Sequence, residues 1–586
     1  MRDVHRASQG HWLNRSTIAG AVLLLLAGSS TLVADRARSA LPTDADDRTI
    51  VHVLNRLGFG FSRGDLERVR RLGVEKYIDE QLHPERIPEN EALEARLASF
   101  ETLTLSTKVL TQEYDQPVKQ LRRQAARAGQ TAAPGDRDMG KMDEEGDPSS
   151  RSGVARTDTT DAPQAANAAD EDPRGKVDAS SPEAREELKA AVRRRALVGR
   201  ELAQQKLLRA TYGERQLQEL LVDFWFNHFN VFGGGNTYAY VTEYERDVIR
   251  PHALGKFRDL LGATAHSPAM LRYLDNWRSV GPNAQGRLRP DRPRAPRAQQ
   301  PPKEKAGLNE NYARELMELH TLGVEGGYTQ RDVIEVAKCF TGWTTRQPKQ
   351  GGEAFFNPRM HEPGTKHVLG QEIDAGGEGD GEEVLDVLAQ HPSTATFIAT
   401  KLARRFVADD PPEALVERTA QRFRETDGDI RETVRTIVTS PEFFDAAAHR
   451  AKVKSPFEFV VSALRATEAH VDEGEALVRN LRQLGMPLYG AQPPTGYIDL
   501  ARTWTSSGAL LGRMNFALAL ANNRLDGVTV SLEPLLGSDP ATAHQRLLAS
   551  LLLNEASAET RATTAKGKSV AQVTALTLGS PEFQRK

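Results

Sequence analysis

The sequence predicts a mainly α protein: a multi-helix globular fold with long disordered insertions and at most short β segments. Three observations carry this. Apolar residues recur at steps of three and four through most of the chain, the period that places them on one face of a helix. Cap residues stand where those runs begin, and glycine or proline where they end. Strand-like alternation is scarce.

In chain order, Arg2, Arg6 and Arg15 precede the apolar run 18–27 and the small residues up to Ala34, the order of a secretory signal peptide. The run is about half of the ~20 residues that cross a bilayer, so 1–34 is expected to be a signal cut near Ser30 or Ala34. An uncleaved anchor reaching Val33 is the alternative. With no twin arginine before the run and no cysteine after it, neither a twin-arginine signal nor a lipid anchor is indicated. The mature chain is expected in the periplasm or outside the cell. Ser62 and Asp65 cap a helix carrying Leu66, Val69 and Leu72, with Gly73 as its stop; Val74, Tyr77, Ile78 and Leu82 continue the pattern to Pro84. Residues 125–181 have almost no large apolar side chains and cannot offset their ordering entropy, so they read as a disordered insertion. Residues 215–235 place Leu217, Leu220, Leu221, Phe224 and His228 on one helical stripe.

A second break, 281–307, is rich in proline and carries seven Arg and Lys residues against two acids. It reads as a solvated loop, with contact to an acidic polymer or lipid headgroups as the alternative. Residues 309–323 form a short helix with Ala313, Leu316, Met317 and His320 on the buried face and Asn311, Glu315, Glu318 and Leu322 beside it. Thr329 and Asp332 cap the next helix, whose stripe is Val333, Val336, Ala337 and Phe340 and whose end is Gly342. Residues 366–373 are the best strand candidate, and an acidic break follows at 374–383. The passages 435–444 and 575–584 share Ser-Pro-Glu-Phe, a generic helix opening or the trace of a duplicated unit. The main folded body is expected over 48–586, with a C-terminal helical subdomain at 384–586.

Composition excludes some functions. With 77 Lys and Arg against 80 Asp and Glu and only 6% aromatic residues, no global field favours nucleic acid. Cys339 is the single cysteine, which rules out intramolecular disulfides and thiolate metal clusters. There is no Gly-x-Ser-x-Gly elbow and no phosphate loop, and the glycines at 233–235 follow a helix rather than a strand. Trp225, Trp277, Trp343 and Tyr328 read as core anchors next to glycine-rich helix ends, with sugar stacking as the alternative.

The candidate chemistry gathers where histidine and carboxylates meet apolar stripes, because polar groups placed there need a reason. One reading is a satisfied core: Arg314, Lys338 and backbone amides answer Glu315 and Glu318, and each histidine donates to a carbonyl. A second is a divalent metal where His228, His320 and Glu315 or Glu318 converge with the 357–367 loop, which supplies His361, Glu362 and His367, with an open position for an activated water. A third is metal-free acid–base catalysis by Glu315, Glu318 and His320. No local His-Glu-x-x-His spacing decides between them.

Several separated segments carry a resemblance: HVLNRLGFGFSRGDLERVRRLGVEKYIDEQLHP, FWFNHFNVF, LNENYARELMELHTLGVEGGYTQRDVIEVAKCFTGWT, FFNPRMHEPGTKHVLG and SPEFF. In this order they resemble the bacterial domain-of-unknown-function 1800 family, over about 48–586. The resemblance implies an exported, mostly helical protein without an established activity. It also implies an exported companion of the domain-of-unknown-function 1501 family as partner. Where the family pattern has His-Asp, this chain has His361-Glu362, which puts a strict geometric role for that carboxylate in question. The expected function is a cell-envelope scaffold or binding protein acting with that companion, the alternative being an exported hydrolase with a His/carboxylate site. Membrane contact is expected only through an uncleaved signal segment or the 281–307 loop.

Overall fold

The computed structural model describes residues 45–131, 182–284, 307–347, 350–536, 542–553 and 555–586. The expected signal segment 1–34, most of the 125–181 insertion and most of the 281–307 loop lie outside them.

Helices form where caps and apolar period coincide. Ser62 and Asp65 make a reciprocal capping box for helix Arg63–Leu72, and Gly73, at φ 88, turns the chain into helix Val74–Leu82. Thr329 and Asp332 do the same for Gln330–Cys339, and Ser455 and Glu458 for Pro456–Ala466. The repeated Ser-Pro-Glu-Phe passages adopt one local structure. Ser440 and Ser580 each cap a four-residue helix with proline at its start, and each follows a nine-residue helix, Ile430–Val438 and Val570–Leu578.

The strands form three antiparallel pairs: Trp343–Thr345 with Ala354–Phe356, Lys366–Val368 with Gln371–Ile373, and His470–Val471 with Val528–Thr529. The single strand expected at 366–373 is thus a hairpin. Leu369 and Gly370 both take positive φ, 51 and 78, and fold the chain back in two residues. Helix Gln116–Thr131 covers the first seven residues of the stretch 125–181 that was expected to be disordered. That helix and Pro182–Tyr212 flank the insertion. Asp115, just before the first, pairs with Arg195 of the second at 2.9 Å.

A third difference matters for the site. Residues 311–321 begin as α-helix, Asn311–Glu315, and continue as a π turn, Leu316–Thr321, in which the Leu322 amide donates to the Met317 carbonyl five residues back. The expected buried face, Ala313, Leu316, Met317 and His320, is buried.

One contiguous apolar core runs from Ile50 to Phe583, so residues on both sides of position 384 share it. Long-range polar contacts tie the ends together. The His52 ring donates to the Phe443 carbonyl at 2.8 Å, and Lys586 pairs its backbone with Lys452. Among the described residues, no helix is long and apolar enough to cross a membrane.

Candidate functional site

His228 is the last residue of helix Gln216–His228, and His320 lies near the end of the π turn; their ring centroids are 6.2 Å apart. Both are buried. The last carbonyls of a helix lack intrahelical donors, and the His320 carbonyl finds one in His228 Nε2 at 3.1 Å. A carbonyl only accepts, so Nε2 carries the ring proton and Nδ1 is left to accept from Lys401 Nζ at 2.7 Å. Burial, then the Lys401 charge and His320, hold His228 well below the ordinary histidine range. Lys401 comes from helix Pro392–Phe406, and burial, then the Arg404 charge, lower it to about 8. His228 therefore spends both nitrogens on joining three helices.

His320 differs. Its Nε2 is buried and meets no hydrogen-bond partner among the described residues, while burial and the Lys401 charge hold the ring neutral, with its pKa lowered to about 3. A neutral imidazole with a free nitrogen is a competent metal donor. The surroundings do not supply the rest of a ligand set: His228 has no lone pair to spare, and Lys401 adds positive charge. Among the described residues, no three His, Cys, Asp or Glu side chains gather in a metal-holding group.

The structure does not bring His361 to the other two histidines. It belongs to a second buried cluster, with Nδ1 2.8 Å from the Thr341 carbonyl and Nε2 3.1 Å from Asp380 Oδ2. Lys366 Nζ pairs with the same Asp380 oxygen and donates to the Glu362 carbonyl at 2.6 Å. Asp380 Oδ1 accepts the Gly376 amide at 2.6 Å, which leaves the aspartate fully engaged. Glu362 accepts from the Asn283 amide at 2.7 Å and from its side chain at 2.6 Å. The Val280 amide meets the Gly307 carbonyl at 3.1 Å, so the cluster stands at the closed base of the 281–307 segment. Gly281 has to be glycine there, because a Cβ would lie 2.6 Å from Glu362 Cα. His367 is exposed.

Glu315 and Glu318 are half-buried. Burial, then the neighbouring Glu318 charge, raise the Glu315 pKa. The counter-ions expected for them are engaged elsewhere: Arg314 pairs with Glu310 at 3.3 Å and Lys338 with Glu335 at 2.7 Å. The i,i+4 and i,i+3 geometry favours those local pairs. Glu318 is approached instead by the Tyr328 hydroxyl.

A cavity that the sequence reading missed lies next to His228 along the same helix. It measures about 70 Å³ and is walled by Phe224, Phe226, Tyr489, Tyr497 and Trp504, with Arg405 on helix Pro392–Phe406 in its lining. Glu315, Glu318, His320 and His361 do not line it. Its outer wall is the segment 486–499, pinned by the FWFNHFN stretch. Asn227 exchanges two hydrogen bonds with the Tyr497 backbone, at 2.8 and 2.7 Å. Asn230 Nδ2 donates to the Ala491 and Pro493 carbonyls at 3.0 and 2.9 Å.

Tyr489 sits in the left-handed region at φ 58, a strained choice for an aromatic residue, and its hydroxyl donates to Glu245 at 2.6 Å. Beneath it Lys206 pairs with Asp223 at 2.8 Å, and Arg250 holds Glu219 in a bidentate pair. The available sequence signal was a pair of asparagines three apart at a helix end, together with a later stretch rich in glycine and proline. The tryptophans singled out earlier are not in this wall: Trp225 is buried and donates to the Ala253 carbonyl at 3.0 Å, and Trp343 stacks on His266 at 4.2 Å.

No curated protein and no solved structure matches the chain. The family model described as "Protein of unknown function (DUF1800)" matches residues 52–585, nearly the whole chain, and the protein belongs to that family.

Proposed function

We propose that the protein is an exported, non-catalytic binding protein of the cell envelope that works with an exported companion of the domain-of-unknown-function 1501 family. The cavity beside helix Gln216–His228 is its recognition element. One observation carries this reading. The ring nitrogens of His228 and His361 are committed to holding helices and a loop base together, whereas the cavity has aromatic walls and a pinned, strained rim. A concave, mostly apolar site with a few converging polar groups is the usual form of a small-ligand site.

The test has two parts. Purified mature chain, residues 35–586, should bind the purified companion in surface plasmon resonance; absence of binding would remove the partnership. A Trp504→Ala variant with unchanged circular dichroism should lose binding of small envelope-derived ligands, and retained binding would remove the cavity from recognition.

The second reading is an exported hydrolase using Glu315, Glu318 and His320. It is favoured by the free Nε2 of His320 and the raised pKa of Glu315. On that reading, Glu315→Gln and His320→Ala abolish turnover of ester or polymer substrates while melting temperature is kept. Turnover that survives both substitutions eliminates it.

A further inference from the structure

Helix Ser507–Ala521, SGALLGRMNFALALA, is capped by Ser506, which accepts the Ala509 amide at 3.3 Å, and it carries a single charged residue. That residue, Arg513, is turned inward: it is 1% exposed, and its Nη2 donates to the Lys454 carbonyl at 2.7 Å. The leucines go the other way. Leu510, Leu511 and Leu518 stand 41, 63 and 37% exposed. At about 100° per residue they share less than about a third of the helix circumference. Phe516, Ala517, Leu520 and Ala521 are buried, and helix Val570–Leu578 packs alongside, with Met514 against Gly579. A surface helix ordinarily shows charged and polar side chains to water, whereas this one shows leucine.

The charges that flank these two helices have one sign. No Asp or Glu lies between Asp499 and Asp526, where Arg502, Arg513 and Arg524 fall, and none lies between Glu559 and Glu582, where Arg561, Lys566 and Lys568 fall. Arg502, Arg524, Lys566 and Lys568 are exposed and make no ion pair among the described residues. Asp526, the first acid after Arg524, is taken by Arg479 at 3.5 Å. Arg502 and Arg524 thus bracket the leucines, one before the helix and one after it. A second copy of the chain fits this face badly, because an isologous contact sets basic ends against basic ends with no carboxylate between them. An anionic lipid surface matches both features, with phosphates for the unpaired cations and an acyl boundary for the leucines. The helix has 15 residues and rises about 22 Å, short of the ~30 Å hydrocarbon layer, so it lies along such a surface instead of crossing it.

We propose that this outer face is a membrane-docking surface: the helix rests in the plane of an anionic lipid bilayer, with Leu510, Leu511 and Leu518 entering the boundary between headgroups and acyl chains and with Arg502 and Arg524 on headgroup phosphates. No residue of the helix lines the cavity, and the companion takes no part in the contact.

Co-sedimentation with vesicles tests this, using residues 35–586, which keep every described residue and lack the apolar run 18–27. The protein should bind vesicles of phosphatidylglycerol mixed with phosphatidylcholine far more tightly than vesicles of phosphatidylcholine alone, and added salt should weaken the binding. Leu511→Gln combined with Leu518→Gln should lower the affinity about tenfold or more, and Arg502→Gln combined with Arg524→Gln about fivefold for each charge removed. Both variants should keep the parent melting temperature, because these side chains are exposed. Failure of the parent to sediment with the phosphatidylglycerol vesicles overturns the inference, and so does equal binding by the leucine variant. A parent dimer in analytical ultracentrifugation that the leucine variant loses would give the face to a second copy and overturns it as well.

Discussion

Replacing Asn227 by alanine should loosen the outer wall of the cavity without unfolding the protein. In the structure the Asn227 side chain accepts from the Tyr497 amide at 2.7 Å and donates to the Tyr497 carbonyl at 2.8 Å, a closed two-bond exchange between a helix end and a distant segment. Alanine offers neither group, and both backbone groups of Tyr497 lose a partner in a half-buried setting. A net hydrogen bond is worth about 1 kcal/mol and an orphaned partner costs about 1–3 kcal/mol, so the local loss is about 2–4 kcal/mol. At 1.36 kcal/mol per decade this is about 30- to 1,000-fold faster opening. Hydrogen–deuterium exchange with peptide resolution reads it directly: peptides covering 486–499 should lose protection by that factor, while the 366–373 hairpin should be unchanged. Unchanged exchange in 486–499 would refute the argument that the FWFNHFN stretch serves to pin this wall.

Other perturbations follow from the same geometry. Gly496 has φ 66 and a Cβ there would lie 2.4 Å from the Asn227 carbonyl oxygen, so Gly496→Ala should destabilise by more than about 1 kcal/mol in urea titrations; a neutral result would mean that the turn relaxes freely. Lys401 titrates near 8 in the fold against 10.5 normally, so between those values the unfolded chain holds the extra proton and stability gains with rising pH, by up to roughly 3 kcal/mol. Lys401→Met should erase that part of the rise, visible as a shrinking gap between variant and parent in denaturant midpoints from pH 8 to 10.5; parallel curves would contradict it. Lys366→Met removes the cation shared by Asp380, His361 and the Glu362 carbonyl and leaves a buried carboxylate uncompensated, which should cost about 3–5 kcal/mol and lower the melting temperature. A change below about 1 kcal/mol would show that the Gly376 amide and His361 suffice for Asp380.

The parts of this fold that are legible in the sequence are those decided within one turn of helix. The capping boxes at Ser62 and Thr329 were readable because both partners lie three residues apart. The burial of His228 and His320 was readable because their apolar neighbours share their stripe. The π turn at Leu316–Thr321 was not, since one extra residue in a turn leaves the hydrophobic pattern intact over so short a span. The hairpin at 366–373 was hidden because Leu369, not an asparagine or aspartate, takes the left-handed position ahead of Gly370.

The candidate site was legible in its members but not in its connections. Glu315 and Glu318 lost their expected counter-ions because Arg314 and Lys338 found nearer carboxylates on their own helices, a competition that composition cannot rank. The cavity is assembled from positions as far apart as Lys206 and Trp504, and what joins them is side-chain amide to backbone carbonyl, a bond with no sequence period. This explains why FWFNHFN suggested a histidine site. Its histidine holds the helix ends together through the His320 carbonyl and Lys401, and its asparagines hold the wall through the backbone of Ala491, Pro493 and Tyr497.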